Sequence, residues 1–173
     1  MKHDFTALIA MLTICTSTII LTVGCDSGRP TRLPKTYACT IVVKNADKPI
    51  DSAVVTLVPS NHGGDWASGG ITDASGIAQM KTTCASYQEK GVPEGEYTII
   101  IARRPDIEGD KTQEEIDAMP GQERDAYFAD LENKRSKLPP VVPPEWGNSA
   151  KTPLKITVGT KDNRLELDTN QKY

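Results

Sequence analysis

The feature that most constrains the fold is an alternation of inward and outward residues that starts at Tyr37 and returns in short runs. Tyr37, Cys39, Ile41 and Val43 share one side of a period of two, with Ala38, Thr40 and Val42 between them. Ile50, Ala53, Val55 and Leu57 follow on one side of a run closed by Pro59, and Ala78, Met80, Thr82 and Cys84 alternate again. Glu96 to Ile101 (EYTIII) is the strongest strand signal. Leu154 to Val158 and Arg164 to Leu167 are predicted to close the body as a hairpin around residues 159–163. Turn signals separate these runs. Asn45 to Pro49 is one, and residues 60–70 (SNHGGDWASGG) read as a loop. In the tight turn Ile71 to Gly76, Asp73 can accept backbone N–H bonds while Gly76 takes a positive φ. Twelve Pro and 13 Gly, against only 5% aromatics, favour a turn-rich β-sandwich over a helical bundle.

Ahead of this body, residues 5–23 carry no charge and are diluted by six Thr and Ser. The run is long enough to cross a bilayer, at roughly 20 residues. It ends in Leu21-Thr22-Val23-Gly24-Cys25, which resembles the lipobox of bacterial lipoproteins. The resemblance implies a signal peptide at 1–24 and an acylated Cys25 that attaches the chain to an envelope membrane. An uncleaved anchor helix, or a plain secretory signal with Cys25 incidental, stays open beside it. The identity of the membrane also stays open. Residues 25–36, with two Pro and a Gly, are expected to be a tether. The net charge of -3 gives no electrostatic footprint for nucleic acid.

Within the body, Lys48-Pro49-Ile50, Ala53 to Pro59 (AVVTLVP), Thr72 to Gly76 (TDASG) and Val92 to Tyr97 (VPEGEY) arrive in that order. Val142 to Trp146 (VPPEW) and Thr152-Pro153-Leu154 follow. This series resembles the carboxypeptidase regulatory-like domain, and particularly small lipoproteins carrying one such domain. The resemblance implies an all-β, transthyretin-like Greek-key β-sandwich over residues 37–168, followed by a tail at 169–173. It implies an envelope address and no catalytic residues. Cys39 stands where the family usually has Gly. By strand alternation Cys39 and Cys84 both point inward, and with Cys25 assigned to lipid they are expected to pair in an oxidising compartment. That disulfide would close a loop of about 45 residues, worth ~3–4 kcal/mol in the chain-entropy account. Two separate buried thiols are the alternative.

The stretch 103–138 interrupts the strand pattern. From Arg103 to Lys137, 17 of 35 residues are charged. Thr112 and Glu115 form a capping-box signal for a short helix through Met119, broken by Pro120-Gly121. A second helix is expected over residues 122–138, acidic at its start and basic at its end, as the helix dipole prefers. Tyr127 and Leu131 give it a narrow apolar stripe to lay against the sandwich. The alternative is a partner-binding element, because long insertions in compact domains are often functional. Four Pro within residues 139–144 then bring the chain back in extended form.

Catalytic chemistry finds little support. After removal of 1–24 one histidine, His62, is left, which excludes a multi-imidazole metal site. Ser60, His62 and Asp65 are triad residue types, but they crowd one Gly-rich loop. Asp106 to Asp110 resembles the start of a calcium loop, with Lys111 in place of the Gly its turn needs. No metal, cofactor or catalytic residue is therefore expected. The favoured reading is a membrane-anchored envelope lipoprotein, a structural or protein-interaction module whose partners are the bilayer, through Cys25, and an envelope protein, through 103–138. The alternative is a carbohydrate- or surface-ligand-binding module using the loop tryptophans Trp66 and Trp146.

Overall fold

The computed structural model describes residues 28–61, 64–107 and 109–173. Cys25, the signal segment and His62 lie outside the described residues. The body is an all-β sandwich with a short helical insertion. Its strands are β1 (Thr36–Tyr37), β2 (Cys39–Asn45), β3 (Lys48–Pro49), β4 (Val54–Pro59), β5 (Ala67–Ile71), β6 (Ile77–Gln79), β7 (Lys81–Cys84) and β8 (Tyr87–Lys90). They continue with β9 (Val92–Pro93), β10 (Gly95–Ala102), β11 (Lys155–Val158) and β12 (Asn163–Asp168). One sheet has six strands in the order β11-β10-β4-β5-β7-β8. The facing sheet has β12-β2-β3, with β6 also paired to β2, and β1 pairs β9 as a small ribbon.

The alternation builds the core as expected. Cys39, Ile41, Val43, Ala78 and Leu167 enter from the smaller sheet. Val55, Leu57, Tyr97, Ile99, Ile101 and Val158 meet them from the larger one. The Asp73 turn forms as expected: its carboxylate accepts the Ser75 and Ile77 N–H groups at 2.8 and 3.0 Å. Gly76 there has φ +72°, and a Cβ on it would sit 2.4 Å from the Val43 carbonyl oxygen.

Several elements depart from the alternation pattern. Residues 67–71, read as loop, form β5 in the middle of the larger sheet, between β4 and β7. Gly69 and Gly70 suppress the strand signal there, while the Ser68 hydroxyl is buried against that of Thr82 at 2.8 Å. The run from Ala78 to Cys84 is two strands, one in each sheet: β6 pairs β2 and β7 pairs β5. Met80 sits at the crossing, its N–H donating to the Cys39 carbonyl and its carbonyl accepting from Gly91.

The final hairpin does not form. β11 adds antiparallel to β10, whereas β12 crosses to the other sheet and runs parallel to β2 over six residue pairs. Val158 and Leu167 are both buried and thus cover the core from opposite sides. The Asn163 side chain holds the connection, accepting from the Gly159 N–H at 2.9 Å and donating to the Lys161 and Ala38 carbonyls.

Nor are residues 29–36, the described part of the expected tether apart from Gly28, a free chain. Arg29 bonds Glu89 of β8 at 2.9 Å and the carbonyls of Leu33 and Pro34, and Leu33 is buried. The tail also folds back: the Tyr173 hydroxyl accepts the Asp168 N–H at 2.7 Å, and its ring meets Trp146 edge-on.

The insertion contains helix α1 (Gln113–Asp117) and helix α2 (Gly121–Arg135). The capping box is present: Thr112 accepts from the Glu115 N–H, and the Glu115 carboxylate accepts from the Thr112 N–H at 2.8 Å. These bonds hold the Glu115 carboxyl below its usual range. The polar side chains of α2 fasten it elsewhere than to the strands. Among the described residues, the hydrogen bonds and ion pairs that α2 side chains make outside the helix go to residues 104–111. Glu132 meets Arg104 at 3.3 Å, Arg135 meets Asp110 at 3.2 Å, and Tyr127 bonds Asp110 and the Lys111 N–H. Leu131, the one buried residue of α2, lies outside the sandwich core. The helix closes on its own approach segment.

Candidate functional site

The expected Cys39–Cys84 bridge is absent: both residues are buried free thiols. Alternation turns both side chains inward, but they belong to different sheets and line different cavities. Cys39 borders a space of about 310 Å³ with Met80, Lys90 and Gly91. Cys84, at the tip of the β7–β8 hairpin, borders a larger cleft. Burial pushes the Cys39 thiol up to about 11, so little of it is thiolate at neutral pH. With the chain unfolded but not reduced, both thiols should react fully with a maleimide. Two sites that label only after reduction would restore the bridge.

Trp146 is not a ligand platform either. The proline-rich return delivers it to a single 3₁₀ turn (Pro144–Gly147), where it is 2% exposed and part of the core. Proline at the start of the turn supplies the required φ, and the Trp146 N–H closes the turn onto the Pro143 carbonyl at 3.0 Å.

Trp66 is different. It precedes β5, half-exposed, with its ring tilted 56° against the buried Tyr97 at 6.2 Å between centroids. Tyr97 is itself fixed by a 2.9 Å bond from its hydroxyl to the Pro93 carbonyl. Gly64 lies so close to the indole that a Cβ there would fall 2.2 Å from Nε1. Only glycine fits. Among the described residues that buried nitrogen has no acceptor, and leaving such a donor unpaired costs about 1–3 kcal/mol.

Trp66 forms one wall of a cleft of about 880 Å³, the largest of those described here. Pro30, Thr31 and Arg32 from the docked N-terminal segment face it, Val58 and Pro59 come from the end of β4, and Cys84 from the hairpin tip. Arg32 and Asp65 approach across the rim at 3.8 Å, each 87% exposed. Of these residues, sequence reasoning singled out Trp66 alone as a ligand contact. Arg32 and Pro30 fall in the Pro- and Gly-containing stretch that reads as a tether, and no local pattern signals that this segment folds onto the sheet.

A second groove, about 420 Å³, runs between the insertion and the proline return, lined by Arg103, Arg104, Arg135 and Leu138. Its cations are already matched. Arg103 holds Asp106 at 2.7 Å and Asp51 at 3.6 Å, Arg135 holds Asp110, and Glu132 lies within 3.3 and 3.6 Å of Arg104 and Arg135. The bonds from Arg103 keep the Asp106 carboxyl below its usual range. Among the described residues no group of three or more His, Cys, Asp or Glu is placed to hold a metal ion, and no helix is long and apolar enough to cross a membrane. No family model, curated protein or solved structure matches the chain.

Proposed function

We propose that the chain is a lipid-anchored protein of the cell envelope, attached through Cys25, whose transthyretin-like sandwich is a non-enzymatic scaffold for protein interaction. The observation that carries this reading is the independence of the insertion. Its second helix is fastened to residues 104–111 and contributes nothing to the sandwich core, yet the insertion leaves Phe128 45% and Leu138 41% exposed. An ordered, highly charged element that the core does not need, with apolar side chains turned to water, suits a surface for a partner. Neither the bilayer nor nucleic acid is the natural occupant of that mixed-charge surface.

Support for the anchor comes from the lipobox-like Leu21 to Cys25. Arg29 is already fixed to the body, four residues beyond Cys25, so the acylated residue reaches about 14 Å from it at most. In this reading the sandwich is held near the membrane surface. Cys25→Ser should abolish incorporation of a labelled fatty acid and move the protein from the membrane to the soluble fraction. Undiminished membrane retention would favour an uncleaved anchor helix. Crosslinking in intact cells should capture a protein with the full chain and lose it when residues 112–137 are deleted; capture that survives the deletion would move the interaction to another surface.

A further inference from the structure

We infer that the cleft between the N-terminal segment and the β4–β5 connection is a binding site for a neutral saccharide. Neither the lipid anchor nor a protein partner is needed for such a site, and Trp66 is its centre. Packing against Tyr97 and the close approach of Gly64 fix the indole, so its exposed part is a rigid, pre-oriented wall. Pro30, Val58 and Pro59 add apolar surface suited to the C–H face of a sugar ring.

The rim supplies the polar half. Arg32 and Asp65 are both almost fully solvated and only loosely paired at 3.8 Å, so little holds them to each other. One offers a fork of donors and the other accepts only, which together complement vicinal hydroxyls, each of them donor and acceptor. Their charges cancel. An anionic ligand would gain with Arg32 and be opposed by Asp65, and a cation the reverse, so an uncharged polyol matches the pair best. The indole N–H is buried under Gly64, so Trp66 offers the ligand its ring face and the rim pair supplies the hydrogen bonds. A volume of about 880 Å³ falls within the ~300–1,000 Å³ range of small-molecule sites. The other cavities lack this combination. The arginine groove beside the insertion is neutralised by its own carboxylates, and the Cys39 cavity offers a thiol that stays protonated.

The test is calorimetric titration of the full chain, held in a detergent without a sugar headgroup. Chitotriose, maltotriose and mannotriose serve as neutral probes, and trigalacturonate as a charged one. At least one neutral trisaccharide should bind saturably, and trigalacturonate at least tenfold more weakly. Trp66→Ala and Asp65→Ala should each weaken the neutral ligand tenfold or more. Gly64→Ala should do the same while keeping the indole, because it must displace the ring. Asp65 and Arg32 are exposed, so Asp65→Ala and Arg32→Ala keep the test valid should the Trp66 variant fail to fold. Absence of binding by all three neutral probes, equal or tighter binding of trigalacturonate, or unchanged affinity in Asp65→Ala and Arg32→Ala would each overturn the assignment.

Discussion

Replacing Trp146 by Ala should cost the sandwich about 3–5 kcal/mol, the usual penalty for truncating a buried aromatic. The side chain is 2% exposed and part of the main core, although it comes from a short turn rather than a strand. Its turn rests on β10, which pairs both β4 and β11, and the C-terminal Tyr173 ring meets it edge-on at 5.8 Å. Truncation would open a cavity between β10 and the proline return and release the tail as well. Because the proline segment is stiff, it cannot collapse into the space, which places the cost toward the upper end of the range. Urea unfolding should show the loss as a lower midpoint with an unchanged slope. Trp146→Phe should recover much of it. A loss below about 1 kcal/mol would mean that the turn is a peripheral ornament.

Leu131→Ala should release the insertion and spare the sandwich. Leu131 is 4% exposed and is the one buried side chain of α2. Leu to Ala truncations at buried sites cost ~2–5 kcal/mol, while an isolated helix of about 15 residues is marginal in water. The remaining attachments are the partly exposed ion pairs of Arg104 with Glu132 and Arg135 with Asp110, and the exposed Tyr127 hydroxyl bonded to Asp110 and the Lys111 N–H; exposed contacts of this kind contribute little each. Together these numbers leave α2 without net stability. Hydrogen exchange at the amides of α2 should accelerate by roughly thirtyfold or more, about 2 kcal/mol, while exchange in β10 stays the same. If β10 loses protection in parallel, the insertion and sandwich are one cooperative unit, and the independence on which the interaction reading rests would fail.

The inward-facing residues were legible because a half-buried strand imposes a period of two. That period keeps its parity when the chain passes from one sheet to the facing one. Ala78, Met80, Thr82 and Cys84 all face the interior, though the first belongs to the smaller sheet and the last two to the larger. The alternation therefore cannot reveal the crossing at Met80, nor that Val158 and Leu167 belong to opposite sheets. The same blindness made Cys39 and Cys84 look like partners. β5 was hidden for a different reason, since its Gly69-Gly70 pair carries no side chains from which to read a strand. The Trp66 cleft needed three separated segments, around Pro30, Pro59 and Cys84, and only packing brings those together. The capping box and the Asp73 turn were readable because their hydrogen bonds span no more than four residues.

The parallel pairing of β2 with β12 has a mechanical consequence. The N-terminal approach enters β2 at Cys39, and the C-terminal tail leaves β12 at Asp168, so the two strands are loaded from opposite ends. Tension between a point fixed before Cys39 and a weight hung on the tail would drag them past each other along their length. Six residue pairs would then have to yield together, whereas a hairpin pulled at its two ends opens one rung at a time.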